Sequence, residues 1–91
     1  MNNKEIAIVF NDIAEILKLK KDNVFKIRAY QKAAHSIERL SVEVEQLVRE
    51  DKLKEIPGVG EAITKKIIEL VTTGELDYYK KLKADFPGET R

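Results

Sequence analysis

Apolar residues recur along this chain at spacings of three and four, the pattern of helices that bury one face. Ile6, Val9, Phe10, Ile13, Ile16 and Leu17 form the first such stripe and predict a helix from about Asn3 to Leu19. Asn2 or Asn3 can cap its start, Glu5 suits the positive end of its dipole, and Lys18, Lys20 and Lys21 suit the other end. Asp22-Asn23 interrupts the pattern, and a second helix follows from about Val24 to Leu40. At about 100° per residue, Phe25, Ala29, Ala33, Ile37 and Leu40 fall on one side of it, and Arg28, Lys32, His35 and Arg39 on another. Its small alanines should let a neighbouring helix approach closely. Ser41 is placed to cap a short third helix carrying Val44, Leu47 and Val48. A further helix from about Glu61 carries Ile63, Ile67, Leu70 and Val71 and ends at Thr73-Gly74, with the glycine as C-cap. The last, from about Glu75, carries Leu76, Tyr79, Leu82 and Phe86 and stops before Pro87-Gly88. No stretch has the period of a strand. The pattern predicts an all-α, compact bundle of about five short helices.

Composition bounds what such a bundle can do. Ninety-one residues make one domain, and 43% hydrophobic with 36% charged residues is the balance of a folded, soluble one. Without cysteine there is no disulfide, thiol catalysis or iron–sulfur cluster, and a reducing, cytoplasmic setting is expected. No apolar run approaches the roughly 18 residues of a membrane span, so no membrane partner is expected. The opening Met-Asn-Asn-Lys-Glu meets an acid too early for a signal peptide. Net charge is only +1, yet its distribution is uneven. Lys18 to Arg39 carries seven basic side chains against two acidic ones, whereas Leu40 to Thr64 carries three against six. A domain so polarised can present a basic face with almost no net charge, although solvated helix faces would give the same count.

The segment Leu53-Lys54-Glu55-Ile56-Pro57-Gly58-Val59-Gly60-Glu61-Ala62-Ile63 is the most informative. Proline followed by two glycines one residue apart forces a tight turn between helices. The whole unit, over about 51–73, has the pattern of a helix-hairpin-helix. The backbone at Gly58, Val59 and Gly60 could approach a phosphate closely and open onto the positive end of the next helix. Such contacts grip the sugar-phosphate backbone and carry no base information. An ordinary αα-turn could contain the same glycines, but Ile56 and Val59 in the turn and Ala62 and Ile63 after it sit where the motif needs apolar residues.

Three blocks extend the match over about residues 3 to 86: Phe25-Lys26-Ile27-Arg28-Ala29-Tyr30-Gln31-Lys32-Ala33-Ala34, Ile56-Pro57-Gly58-Val59-Gly60, and Thr73-Gly74-Glu75-Leu76-Asp77-Tyr78-Tyr79. With these, the chain resembles the N-terminal 8 kDa domain of family X DNA polymerases, of the bacterial and archaeal type with a C-terminal PHP domain. The resemblance implies a helical module that binds gapped or nicked duplex DNA without sequence preference, as a monomer at the nucleoid, during gap-filling base excision repair. The polymerase palm, with its Mg2+, would lie further along a longer chain. Here Glu43 and Glu45 point to different sides of a helix, and there is neither a Gly-rich phosphate loop nor a Ser-His-Asp set. This segment by itself is therefore no polymerase. The alternative is a stand-alone hairpin module that tethers another enzyme to DNA or docks a protein partner.

The resemblance also assigns residues. Lys26 and Tyr30, neighbours one turn apart, match a pair that contacts the 5′-phosphate of the downstream strand; Tyr30 could equally be a core residue. Ala62 stands where mammalian members have a further phosphate-binding lysine, a loss that Arg28 could offset. Lys32 and Lys65 add to the basic surface. Phe25 matches a histidine that stacks on a template base, its other reading being core packing at the helix start. Lys66 matches the amine that forms a Schiff base with a 5′-deoxyribose phosphate and drives β-elimination. Desolvation at the edge of the apolar face, beside Lys65, would lower its pKa as that chemistry requires; the other reading is a solvated lysine facing DNA. With Ala62 in place of a cation, at most weak lyase activity is expected. The carbonyls of Lys54, Ile56 and Val59 match a set that holds Na+ or K+, and no other cofactor is implied for the domain. His35 reads as a surface residue, and the Tyr78-Tyr79 pair as packing plus one exposed ring.

Overall fold

The computed structural model of the chain describes residues 1–85, folded as five α-helices with no strand among them. They are α1 (Asn3–Leu19), α2 (Val24–Glu38), α3 (Val44–Arg49), α4 (Glu61–Thr73) and α5 (Asp77–Asp85), with one 3₁₀ turn at Leu53–Glu55 between α3 and α4. Phe86 and Pro87-Gly88, expected to end the last helix, lie outside the described residues. No helix among the described residues is long and apolar enough to cross a membrane.

Helices α1 and α2 form the most extensive pair and supply most of the core. From α1 come Ile6, Ala7, Phe10, Ile13, Ala14, Ile16 and Leu17. The side chains that α2 buries are Ile27, Tyr30, Ala33, Ala34 and Ile37. This corrects the expected arc of α2 by roughly 80° around its axis. Phe25 is 73% exposed rather than packed at the helix start. The reason is the partner: Phe10 of α1 sits 5.8 Å from the Tyr30 ring, and that contact turns the Tyr30 side of α2 inward. Alanines on both helices, Ala7 and Ala14 of α1 and Ala33 and Ala34 of α2, are buried and bring little bulk to this packing. Tyr30 is thus a core residue, 5% exposed.

The breaks are made by local chemistry. Asn2 caps α1 in a capping box with Glu5, and Asn23 caps α2 by accepting the Phe25 amide at 2.7 Å. Between them the chain reverses at Lys21, whose φ is 58°. Gly74 ends α4 in the left-handed conformation at φ 79°, as its C-cap position requires. The last helix begins two residues later than expected, at Asp77, because the Glu69 carboxylate accepts the Asp77 amide at 2.9 Å and so fixes the start. Ser41 does not cap α3. The cap position is Glu43, and the Val44 amide instead donates to Asn3 Oδ1 of α1 at 2.7 Å, while Asn3 Nδ2 donates to the Val42 carbonyl at 2.7 Å.

A cap supplied from 41 residues away ties α3, and through it the hairpin, to the start of α1. Asn3→Ala should therefore cost about 1 kcal/mol, the typical value for a lost helix cap. In a domain of this size that lowers the melting temperature by about 4–8 °C per kcal/mol. Asn11→Ala, at an exposed α1 position, should cost no more than about 0.5 kcal/mol. Equal losses in thermal denaturation of the two variants would show that the bridge contributes nothing.

Candidate nucleic-acid interface

Ile56-Pro57-Gly58-Val59 is a turn closed by the Val59 amide on the Ile56 carbonyl at 3.2 Å. Proline at its second position and Gly58 at φ 82° in its third make it type II, which needs a glycine there. Ile56, Val59 and Ile63 are buried and anchor the unit, so Val59 offers only backbone to a ligand. Gly58, Gly60, Glu61 and Ala62 are exposed. No side chain caps α4 at Gly60, so the first amides of that helix face outward without a partner from a cap.

The turn is held against α2 in two ways. Ser36 Oγ donates to the Pro57 carbonyl at 2.7 Å. The aliphatic stem of Lys32 crosses Gly58 so closely that a Cβ there would lie 2.7 Å from Lys32 Cγ. Gly58 thus serves both the turn and the close approach of a helix.

On the N-terminal side of this junction α2, α4 and α5 enclose a pocket of about 260 Å3, lined by Lys26, Ala29, Tyr30, Ala62, Ile63, Lys66 and Tyr78. Lys26 and Lys66, 40 residues apart in sequence, converge on it. The Lys66 ammonium stands 4.9 Å from the centre of the Tyr78 ring, and that of Lys26 stands 6.0 Å from it. Tyr78 in turn stacks on Tyr30 with centroids 6.0 Å apart and planes 17° apart. A file of rings, Phe10 to Tyr30 to Tyr78, therefore runs from the core to the two cations. Lys66 is half-buried while Lys65 points to solvent. Ala62 leaves the rim of the pocket without a third cation.

Lys26 is not free of internal partners. Asp22 lies 3.6 Å from its ammonium, one turn back on the chain. The Asn23 amide holds the Asp22 carboxyl below its usual value, with the Lys26 charge assisting. An anion entering the pocket would compete with Asp22 for Lys26. Arg28, Lys32, His35, Arg39, Lys65 and Lys66 have no carboxylate within ion-pair distance among the described residues. Part of the basic excess between Lys18 and Arg39 is spent internally, Lys18 on Glu15 and Lys20 on Asp85. What remains for a ligand is the α2 face and the hairpin.

Sequence reasoning did not assign Tyr78 to the pocket. Its ring is half-buried between Tyr30 and two ammonium groups, and Tyr79 is half-buried too, its hydroxyl donating to Asp12. Neither is the exposed ring expected of the pair. Phe25, by contrast, stands open beside Lys26. The carbonyls of Lys54, Ile56 and Val59 come from either side of the turn, and that of Ile56 also accepts the Val59 amide. No group of three His, Cys, Asp or Glu side chains that could hold a metal ion occurs among the described residues.

Burial raises the Tyr30 phenol well above its ordinary value, with the adjacent Tyr78 adding to the shift. Tyr30 is neutral at physiological pH and can only donate to an anion. Since the folded value is the higher one, the unfolded chain releases this proton first. Stability from this source is complete below about pH 10 and declines above it, by at most about 1.4 kcal/mol per pH unit. Urea midpoints measured from pH 8 to 11 should fall, and Tyr30→Phe should flatten the fall above pH 10. An unchanged slope in that variant would assign the decline to other groups.

A profile of the helix-hairpin-helix domain matches residues 1–76. The chain is 29% identical over 87 residues to DNA polymerase/3′-5′ exonuclease PolX of Bacillus subtilis (strain 168), which covers 96% of this chain and 15% of that protein. It is 32% identical over 84 residues to DNA polymerase lambda of Arabidopsis thaliana, covering 91% of this chain and 15% of the relative.

Proposed function

The chain belongs to the helix-hairpin-helix domain family and is homologous to a region of family X DNA polymerases, and from that premise we propose that it binds the sugar-phosphate backbone of gapped duplex DNA. One observation carries the reading: Lys26 and Lys66 converge on a pocket rimmed by Tyr30 and Tyr78, beside a turn whose helix starts uncapped. The pocket suits the 5′-phosphate at a gap. Its charge draws Lys26 and Lys66, the neutral Tyr30 hydroxyl donates a hydrogen bond, and the start of α4 faces the strand at Gly60. Gly58, Lys32, Arg28 and Lys65 meet neighbouring phosphates. Phe25, open to solvent, is placed to stack on an unpaired base.

The backbone carbonyls of Lys54, Ile56 and Val59 are neutral oxygens, a donor set suited to Na+ or K+. A cation there would add positive charge beside the turn. Because the chain spans only 15% of the curated relatives it matches, nucleotidyl transfer in gap-filling repair is proposed for a longer protein that would carry this segment.

Lyase chemistry, if the domain performs it, would fall to Lys66. Its amine would add to the aldehyde of an open-chain 5′-deoxyribose phosphate and lose water to form an imine. Removal of a C2′ proton would then expel the 3′ phosphate oxygen, breaking the C3′–O bond. Without a cation at Ala62 the sugar phosphate would be held less firmly, and orientation accounts for much of such a rate.

Two measurements test this reading. Affinity for gapped duplexes of unrelated sequence should fall with salt at a slope of about −3 to −4.5, for three to five phosphate contacts. A 5′-phosphate should strengthen binding, and Lys26→Ala should remove most of that gain. A flat salt response or a strong base preference would refute backbone binding, and a gain that survives Lys26→Ala would place the phosphate elsewhere. Borohydride reduction on DNA with a 5′-deoxyribose phosphate should trap a weak covalent adduct. That adduct should be lost in Lys66→Ala and largely retained in Lys65→Ala. Trapping that is equally strong in Lys66→Ala would identify another amine.

A further inference from the structure

Arg28, Lys32, His35 and Arg39 follow one another along α2 at spacings of four, three and four, so they share an edge of the helix. All four are exposed, and none has a carboxylate within ion-pair distance among the described residues. Glu38, the one acid of α2, lies roughly 90° round the helix from the centre of this row. The row is about 16 Å long from Arg28 to Arg39, at 1.5 Å per residue.

Its far end leads into a second pocket. Lys32, His35, Ser36, Arg39, Leu40 and Pro57 line a space of about 400 Å3 where α2 meets the hairpin turn. The Lys26–Lys66 pocket lies toward the start of α2, and Gly58, with the stem of Lys32 across it, separates the two. Two cationic side chains, Lys32 and Arg39, rim the second pocket, with the His35 imidazole between them as a hydrogen-bonding group. Leu40 and Pro57 give it an apolar floor, and the Ser36 hydroxyl proton is already committed to the Pro57 carbonyl. No tyrosine or phenylalanine ring lines it.

We propose that this pocket, with the row that leads to it, is a second phosphate site that takes an internal phosphodiester of the bound strand. The proposal rests on the reading that the domain binds DNA. A linear row of three unneutralised cations, Arg28, Lys32 and Arg39, with His35 among them fits a regular polyanion, because each phosphate along a strand meets a new side chain. The α2 residues lining the two pockets are centred about seven residues, hence about 11 Å, apart along the helix, some three base steps of duplex rise at 3.4 Å each. The domain then grips the backbone on both sides of the hairpin turn. The first pocket, with Tyr30 and Tyr78, takes the chain end; the second takes the continuous backbone and does not distinguish a terminal phosphate.

The test uses gapped duplexes with and without the 5′-phosphate, titrated at several salt concentrations against wild type, the double variant His35→Ala/Arg39→Ala, Arg39→Lys and Lys26→Ala. The double variant should bind both duplexes about two- to fivefold more weakly at low salt, the loss of one exposed charge contact and a neighbouring hydrogen-bonding group. Its salt slope should be shallower by about 1, while the gain from the 5′-phosphate is unchanged. Arg39→Lys should keep the wild-type slope. Lys26→Ala should do the reverse of the double variant, losing the 5′-phosphate gain. Thermal unfolding of the double variant should match wild type, since both side chains are exposed. Wild-type affinity and slope in the double variant would overturn the second site and leave DNA binding standing. A wild-type domain that binds neither duplex would overturn both.

Discussion

The binding face depends on how closely the hairpin turn can approach α2. That approach is possible because residue 58 has no side chain, so the stem of Lys32 lies directly across the backbone there. The same residue holds the positive φ that reverses the chain after Pro57. Any side chain would be strained in that conformation and would also push Lys32 away. With the turn seated, Ser36 reaches the Pro57 carbonyl, and α4 is directed so that Lys66 faces Lys26. Displacing the turn would separate the two lysines and close neither pocket properly.

The packing of α1 on α2 sets the other half of the geometry. Phe10 fixes Tyr30, Tyr30 stacks on Tyr78, and the Tyr78 ring faces both ammonium groups. Aromatic faces attract cations while leaving them available to an anion, which a carboxylate partner would not. Lys66 therefore has a defined place without being neutralised. Lys26 is more constrained, since it also faces Asp22. The two lysines of the pocket are thus inequivalent: one is held by a ring alone, the other shared between a ring and a charge.

Electrostatics along α2 divides accordingly. Ion pairs take up Lys18, Lys20 and Lys26, all near the α1–α2 junction. Arg28, Lys32, His35 and Arg39 remain open along the outer edge, alongside the hairpin. A net charge of +1 therefore conceals a local excess of base along this edge, where Arg28, Lys32 and Arg39 have no ion-pair partner among the described residues.

By itself the sequence determined the helices, most of their breaks and the turn, because these obey local rules. Apolar spacing places α1 and α4, Gly74 can end a helix where few other residues can, and Pro57 with Gly58 dictates a type II turn from four adjacent residues. The motif that points to phosphate was legible for the same reason. Tertiary structure decided what depends on a distant partner. The buried arc of α2 turned because Phe10 selected Tyr30 over Phe25, and an isolated helix has no record of its partner. The cap of α3 came from Asn3, a bond between residues 41 positions apart that no local pattern announces. Tyr78 joined the site for a like reason: its place on α5 matters only once α2 and α4 bring Lys26 and Lys66 to the same ring.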